Sequence, residues 1–210
     1  MLNHNVKRFV TEKPAEFGFK PGQATLVELP DMPGDKHPFT FTSLPEDSEL
    51  EFIIKTYPQR HGVTDHLRDY QAGNELLLGD PWGAITYKGP GTFIAGGAGI
   101  TPFISILRQL ERDERAEGHE LWFSNRTDED VFLVDELRAI LGDKVHFLIT
   151  KQPSAAYRHA RIDRRFIEEN VRDFRQYFYV CGPKKMVEQI AEILEECGAA
   201  KNRIVREDLS

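Results

Sequence analysis

Near residue 90 the sequence changes its rhythm, and that change limits the possible fold more than any other feature. Before it, short runs of β-forming residues at 6–12, 24–29, 39–43, 50–57, 74–79 and 83–87 alternate with turn clusters such as Lys20-Pro21-Gly22 and Gly79-Asp80-Pro81. Strands this short and this regularly spaced predict a small antiparallel β-barrel over residues 1–89, with one short helix at 64–70. After Lys88-Gly89-Pro90-Gly91, strands at 92–95, 120–124, 144–150, 177–180 and 203–206 are separated by helical stretches at 102–115, 131–141, 164–171 and 183–197. Alternation of that kind predicts an α/β domain with a parallel sheet and right-handed crossovers over residues 90–210. A chain of 210 residues is long enough to give each half its own core.

Composition removes several function classes. The net charge is −7, against the basic surface that general nucleic-acid binding requires. No apolar run approaches the ~18 residues of a membrane span. The start, Met1-Leu2-Asn3-His4-Asn5-Val6, lacks an apolar signal core, so a cytoplasmic location is expected. The two cysteines, Cys181 and Cys197, are too few for an iron–sulfur cluster held by this chain alone. A disulfide between them is not expected in a reducing compartment, and no metal site is expected.

The most informative local stretch is Ile94-Ala95-Gly96-Gly97-Ala98-Gly99-Ile100-Thr101-Pro102, a glycine cluster between a buried strand and a helix. Glycines there allow the backbone to approach a pyrophosphate, and the free N–H groups of a helix start attract an anion. Gly97, Ala98, Gly99 and Thr101 are therefore candidate nucleotide contacts; the competing reading is a tight turn required by packing alone. Cys181-Gly182-Pro183 ends the fourth strand of this half, on the same sheet edge. A lone cysteine is more often a small buried filler, and no base stands beside this one in sequence, so no nucleophile is assigned.

Three motifs in register resemble the ferredoxin–NADP reductase superfamily over nearly the whole chain. They are His37-Pro38-Phe39-Thr40, at the place of the family's Arg-x-Tyr-Ser/Thr, then Gly96 to Pro102, then Cys181-Gly182-Pro183-Lys184-Lys185-Met186. The first, continuing Phe41-Thr42-Ser43-Leu44-Pro45, is most similar to the ferric-reductase and NADPH-oxidase branch. The resemblance implies a flavin-binding barrel joined to a nicotinamide-binding sheet domain. It implies bound FAD, reduction by NAD(P)H, and electron release to an acceptor protein such as flavodoxin, ferredoxin or an oxygenase component.

Carried over position by position, the resemblance sets Phe39 against the flavin ring and the Thr40 hydroxyl near its reactive nitrogen. His37 and Pro38 complete that motif, although histidine cannot clamp a phosphate bidentately as arginine does. Ile53, Ile54, Lys55 and Thr56 fall on the strand running past the flavin; for the two isoleucines a core role is equally expected. Gly62, Val63 and Thr64 open the barrel's helix, where the FAD pyrophosphate is expected. Ser124, Asn125 and Arg126 fall where the family places the adenosine ribose. Arg126 at that place favours NADPH over NADH, with Lys151 a weaker candidate; the competing reading is a solvated loop arginine, since Asp128, Glu129 and Asp130 follow closely and would weaken a phosphate site. Thr40 and Cys181 would flank the transfer, with Gly182, Pro183 and Met186 on the nicotinamide side and Glu207 a candidate proton relay. Many family members end in an aromatic over the flavin; Arg206-Glu207-Asp208-Leu209-Ser210 has none, so an open nicotinamide face is expected. Two alternatives stand beside this reading: a reductase of ferric chelates or free flavins, and a flavin-binding regulatory subunit without turnover.

Overall fold

The computed structural model describes residues 1–57, 62–83 and 85–207. In the N-terminal half, β1 (Val6–Glu12) and β4 (Glu49–Lys55) pair antiparallel, with Val6 opposite Lys55 and Glu12 opposite Glu49. A second antiparallel sheet centres on β2 (Gln23–Glu28). It is flanked by β3 (Lys36–Thr40) on one side and by β5 (Leu77–Leu78) and β6 (Trp82–Gly83) on the other. A bridge from Phe41 to Phe52 ties the sheets together. Phe19 stacks on Phe41 with centroids 4.3 Å apart, and Val27, Leu29, Leu50 and Phe52 fill the space around them. The short helix α1 (Val63–Asp69) closes this core with Val63 and Leu67.

The C-terminal half is a six-stranded sheet whose pairs are all parallel. Its strands are β7 (Gly91–Gly96), β8 (Glu120–Asn125), β9 (Val145–Ile149), β10 (Arg158–His159), β11 (Tyr177–Cys181) and β12 (Ile204–Arg206). In space the order is β10-β9-β8-β7-β11-β12. All of β7 is buried, as a strand covered on both faces must be. Helices α2 (Thr101–Arg112) and α3 (Val134–Leu141) cover one face through Phe103, Leu107 and Leu137 packed on Phe93 and Phe123. Helices α4 (Arg164–Asn170) and α5 (Lys184–Glu196) cover the other through Phe166, Ile190 and Leu194 packed on Ile94, Trp122 and Val180. The α2–α3 face also meets the barrel: Val6, Ile53 and Ile85 belong to its apolar cluster.

Several boundaries differ from the sequence expectations for identifiable reasons. Helix α2 stops at Arg112 rather than 115, and Glu114 takes a left-handed φ of 56°. Helix α3 starts at Val134 rather than 131, because Leu133 at φ 57° follows a 3-10 turn closed by a Thr127–Asp130 capping box. The strands expected at 74–79 and 83–87 shrink to two residues each, and β3 starts at Lys36 and ends at Thr40. Strand β10 was not foreseen; it is two polar residues paired to Leu148 and Ile149. Both cysteines are free thiols. Among the described residues no helix is long and apolar enough to cross a membrane, and no His/Cys/Asp/Glu cluster is arranged to hold a metal.

Candidate cofactor cleft

At the carboxyl edge of the parallel sheet, β7 runs through Gly96 into a 3-10 turn, Gly97–Ile100, and then into α2, which has Pro102 in its first turn. Two glycines here answer to packing. A Cβ on Gly99 would lie 2.4 Å from the Cys181 carbonyl oxygen, so the turn rests directly on the end of β11. Gly182 has φ +153°, a conformation side chains rarely adopt, and its added Cβ would sit 3.1 Å from Gly96 Cα. The glycine motif and the Cys-Gly-Pro motif, 85 positions apart from Gly97 to Gly182, are thus two sides of one backbone contact. Thr101 donates its hydroxyl to the Ala98 carbonyl at 3.1 Å, which closes the turn. Gly97, with φ +54° and nothing within 4 Å of an added Cβ, is open toward the cleft.

A cleft of about 1040 Å³ lies along this edge and reaches across to the barrel. It brings together Lys55 and Thr56 from the barrel, Gly97 and Ala98 from the turn, Ser124, Asn125 and Arg126 from the end of β8, and Pro183 and Met186 from the start of α5. Strand alternation divides it in two. Within β8, Ser124 shares the face of Trp122, which packs on α4 and α5, whereas Asn125 shares the face of Phe123, which meets the barrel. Asn125 is 4% exposed, and both polar atoms of its side-chain amide lack a partner among the described residues. Asn5 Oδ1 is in the same condition on the same cleft. A buried polar group without a partner costs roughly 1–3 kcal/mol, so these amides suit a polar ligand, and a dinucleotide spanning both sides fits the donor set.

Other polar groups in the cleft are already engaged. Lys55 Nζ donates to Asp130 Oδ1 at 2.9 Å, and the Thr56 hydroxyl donates to the Asn5 carbonyl at 3.1 Å. Burial of Asp130 works against its charge, but Lys55 and the Thr127 N–H and hydroxyl outweigh it and hold the carboxyl below its ordinary range. Arg126 is exposed and makes no ion pair among the described residues.

The remaining candidates lie off the cleft. His37 pairs with Asp35 Oδ1 at 2.9 Å, and Pro38 is exposed. Phe39 is half-buried against the barrel core, with Thr40 at the strand end beside it. Ile53 and Ile54 are core residues at 3% and 2% exposure, so their side chains do not reach a ligand. Only the second edge of β4, unpaired beyond the Phe41–Phe52 bridge among the described residues, remains available there. At the start of α1, Val63 is wholly buried, the Gly62 carbonyl accepts from Asp65 N–H, and Thr64 is half-buried. Cys181 is buried; burial first, and then the Glu207 charge, push its thiol up to about 12, so it stays protonated at neutral pH. Burial also raises the Glu207 carboxyl. The two sit side by side because Val180 pairs with Arg206 one position earlier. The chain end expected to leave the flavin open, 208–210, lies outside the described residues. His4, Asn5, Asp130, Arg161 and Gln189 were not anticipated. They come from segments far apart in sequence, with no local signal except the Thr127–Asp130 capping box.

An antiparallel half and a parallel-sheet half that share a dinucleotide-sized cleft at the sheet's carboxyl edge define a protein of the flavin-plus-nicotinamide class. Residues 1–91 match the model of the FAD-binding domain family, and residues 93–192 match that of the oxidoreductase NAD-binding domain family. The chain belongs to the ferredoxin–NADP reductase superfamily. It is 28% identical over 211 aligned positions to the reductase component of propane 2-monooxygenase from Rhodococcus jostii, covering 94% of this chain and 57% of that one. It is 25% identical to the ferredoxin–NAD(P)+ reductase component of the naphthalene 1,2-dioxygenase system of Pseudomonas putida, covering 96% and 63%. The chain therefore spans about three fifths of the length of these relatives. The same fold is found in the FAD/NAD-binding domain of a nitric oxide dioxygenase from Vibrio cholerae, with TM-score 0.86, 18% identity and coverage of 99% and 93%. A ferredoxin NADP+ reductase from Neisseria gonorrhoeae gives TM-score 0.82, 21% identity and coverage of 95% and 91%.

Proposed function

We propose that this chain is an FAD-dependent NAD(P)H oxidoreductase that passes electrons to an acceptor protein, a flavodoxin, a ferredoxin or an oxygenase component, in the cytoplasm. The observation that carries this reading is the cleft that joins the end of β4, at Lys55 and Thr56, to the glycine turn, and that is also lined by the Asn125 amide, which has no partner among the described residues. With both cofactors bound, the nicotinamide supplies two electrons as hydride and the flavin ring can release them singly. The protein's part is to hold and orient. Residues 1–89 hold the flavin through Phe39, Thr40, the open edge of β4 and the 62–64 segment; residues 90–210 hold the nicotinamide nucleotide. Gly97 and Ala98 offer backbone N–H groups to the pyrophosphate. Ser124 and Arg126 take the adenosine end, and the unpaired Arg126 guanidinium favours a 2′-phosphate and hence NADPH. Cys181 supplies a small, neutral surface beside the transfer position, and Glu207 holds a proton next to it because burial favours its neutral form. The relatives named above are reductase components of oxygenase systems, which supports a protein acceptor.

Anaerobic mixing of the FAD-loaded chain with NADPH and with NADH tests the reading directly. Bleaching of the flavin band by either nucleotide is the expected result; no bleaching by either would leave only a binding subunit. Steady-state turnover with ferredoxin, flavodoxin, ferric citrate and free flavin then ranks the acceptors. A rate with ferric citrate or free flavin above that with any protein would replace the protein acceptor.

A further inference from the structure

The side of α2 that faces the barrel carries polar side chains at Ser105, Arg108 and Arg112. Spacings of three and four residues stack them along one stripe of the helix. The wholly buried Ser105 hydroxyl accepts the Gly22 N–H at 3.0 Å. One turn on, Arg108 Nη1 donates to the Thr42 carbonyl and to Glu51 Oε1, both at 2.7 Å. Its Nε and Nη2 donate to the two carboxylate oxygens of Glu136 on α3, at 2.5 and 3.2 Å. A further turn on, Arg112 Nη1 meets Glu46 Oε2 at 2.9 Å in a more exposed pair.

Arg108 is the strongest grip of the three. Its side chain is 19% exposed and that of Glu51 is 15% exposed, so the pair is shielded from solvent and held in one geometry. The charges close locally: Glu51 also takes Arg8 Nε at 3.2 Å and the Thr42 hydroxyl at 2.8 Å. Both ends of the bridge sit next to cofactor candidates. Thr42 lies two residues beyond Thr40, and Glu51 lies on the strand that continues to Lys55. On the other side, α2 grows directly out of the glycine turn, so a displacement of the helix carries the turn with it. Arg108 itself lines a separate groove with Leu44 and Asp47, away from the cofactor cleft.

We propose that Arg108 is a positioning residue for flavin reduction: by gripping Thr42 and Glu51 it sets the distance between the barrel strand bearing Thr40 and the turn that holds the nicotinamide nucleotide. The proposal rests on the reductase reading above. A shift of about 1 Å between reacting groups costs on the order of 100-fold in rate, while each cofactor still contacts its own half.

The test uses Arg108→Met, which keeps an apolar stem and removes the hydrogen bonds, and Arg108→Lys, which keeps the charge without the fork. FAD and NAD(P)H dissociation constants should stay within about twofold of wild type while the anaerobic flavin-reduction rate constant falls about 10–100-fold in Arg108→Met and less in Arg108→Lys. Amide exchange at Gly22, Phe41 and Thr42 should speed up, with β8 and β9 unchanged. Arg112→Gln, in the exposed pair, should change the reduction rate less than about threefold. A folded Arg108→Met that reduces flavin within about twofold of wild type overturns the proposal, as does a parallel loss of both affinities and rate. If Arg108→Met does not fold, Arg108→Lys and Glu136→Gln decide by the same criteria. Wild-type protein that neither nucleotide reduces would overturn the reductase reading instead, while exchange across the seam still reports whether Arg108 holds the two halves.

Discussion

The two halves of the molecule prepare for their cofactors by different means. The sheet half does so with backbone: its turn and its Cys-Gly-Pro segment touch at Gly99, where a Cβ would lie 2.4 Å from the Cys181 carbonyl oxygen, and at Gly182, whose φ of +153° side chains rarely adopt. In the site proposed above, the barrel half relies instead on side chains at strand ends and edges, half-buried Phe39 and Thr40 and engaged Lys55 and Thr56, over a core that does not depend on them. A site made of backbone contact cannot be altered without altering the fold, whereas a site made of edge side chains can lose its ligand and keep its fold.

The largest expected effect tests the first half of that contrast. In Gly99→Ala the new methyl meets backbone atoms of Cys181 and Gly182 at 2.4–2.5 Å, and neither strand end can move without opening the other. A destabilisation of about 3 kcal/mol or more is expected, at the upper end of overpacking costs. Denaturant unfolding should show it together with loss of nucleotide binding. A variant of wild-type stability would mean that the contact between the motifs is loose.

Next comes the barrel. Phe39→Ala combined with Thr64→Ala should weaken FAD binding about tenfold or more, or at least about 1.4 kcal/mol, through lost stacking and lost contact. Apo-protein unfolding should change less than in Gly99→Ala, because Phe39 only borders the core. Fluorescence titration with FAD measures the first and urea melts the second; unchanged FAD affinity would remove this pair from the flavin site.

The same contrast explains what could be read in the sequence. Backbone constraints leave glycines at fixed offsets, so the turn at 96–102 and the Cys-Gly-Pro end were legible, as was the alternation of strands and helices that makes the sheet parallel. Buried strands such as β7 announce themselves as apolar runs. Strand β10 does not, since Arg158 and His159 add hydrogen bonds at the sheet's edge and no burial. The short β5 and β6 were overextended because turn residues such as Pro81 and Gly79 delimit them more tightly than alternation suggests. The cleft's far walls, Asn5 and His4 before β1 and Arg161 before α4, are assembled only by folding. Ser124 and Asn125, expected together at the end of the second strand of the sheet half, both line the cleft.

Arg126→Ala sharpens the comparison within the sheet half, where a side chain rather than backbone is expected to choose between nucleotides. A charge-assisted contact contributes roughly 1.5–3 kcal/mol, so half-saturation for NADPH should rise about tenfold or more while that for NADH stays put. Equal shifts for both would show that Arg126 does not meet the 2′-phosphate.

The smallest effect lies at the opposite edge of the sheet. His119 is 3% exposed between α2 and β8, with Nδ1 at 3.0 Å from the Ala116 carbonyl and Nε2 at 3.0 Å from the Tyr87 hydroxyl. The carbonyl can only accept, so Nδ1 carries the proton and Nε2 accepts from Tyr87, which fixes the neutral ring. Burial lowers the pKa of His119 and nearby Arg115 adds to the shift, against the backbone bonds to Ala116 and Glu117 that favour the cation. A group whose folded pKa is depressed stabilises the fold above its unfolded value, about 6.5 for histidine, and loses that contribution as pH falls toward the folded value. Between neutral pH and about 5, the wild-type midpoint should therefore fall more steeply than that of His119→Gln. The difference should be a few degrees at most, given about 2–4 °C per kcal/mol for a chain of this size. Because Tyr87 belongs to the segment joining the two halves and stacks on Tyr179, the loss should appear in the sheet half and its linker. FAD affinity should keep the same pH dependence in both proteins, since His119 lies at the far end of the sheet from the cleft. Parallel melting curves for the two proteins across this range would mean that His119 is protonated as easily in the fold as in the unfolded chain. A pH slope in FAD affinity that the substitution removes would mean that the linker transmits its state to the barrel.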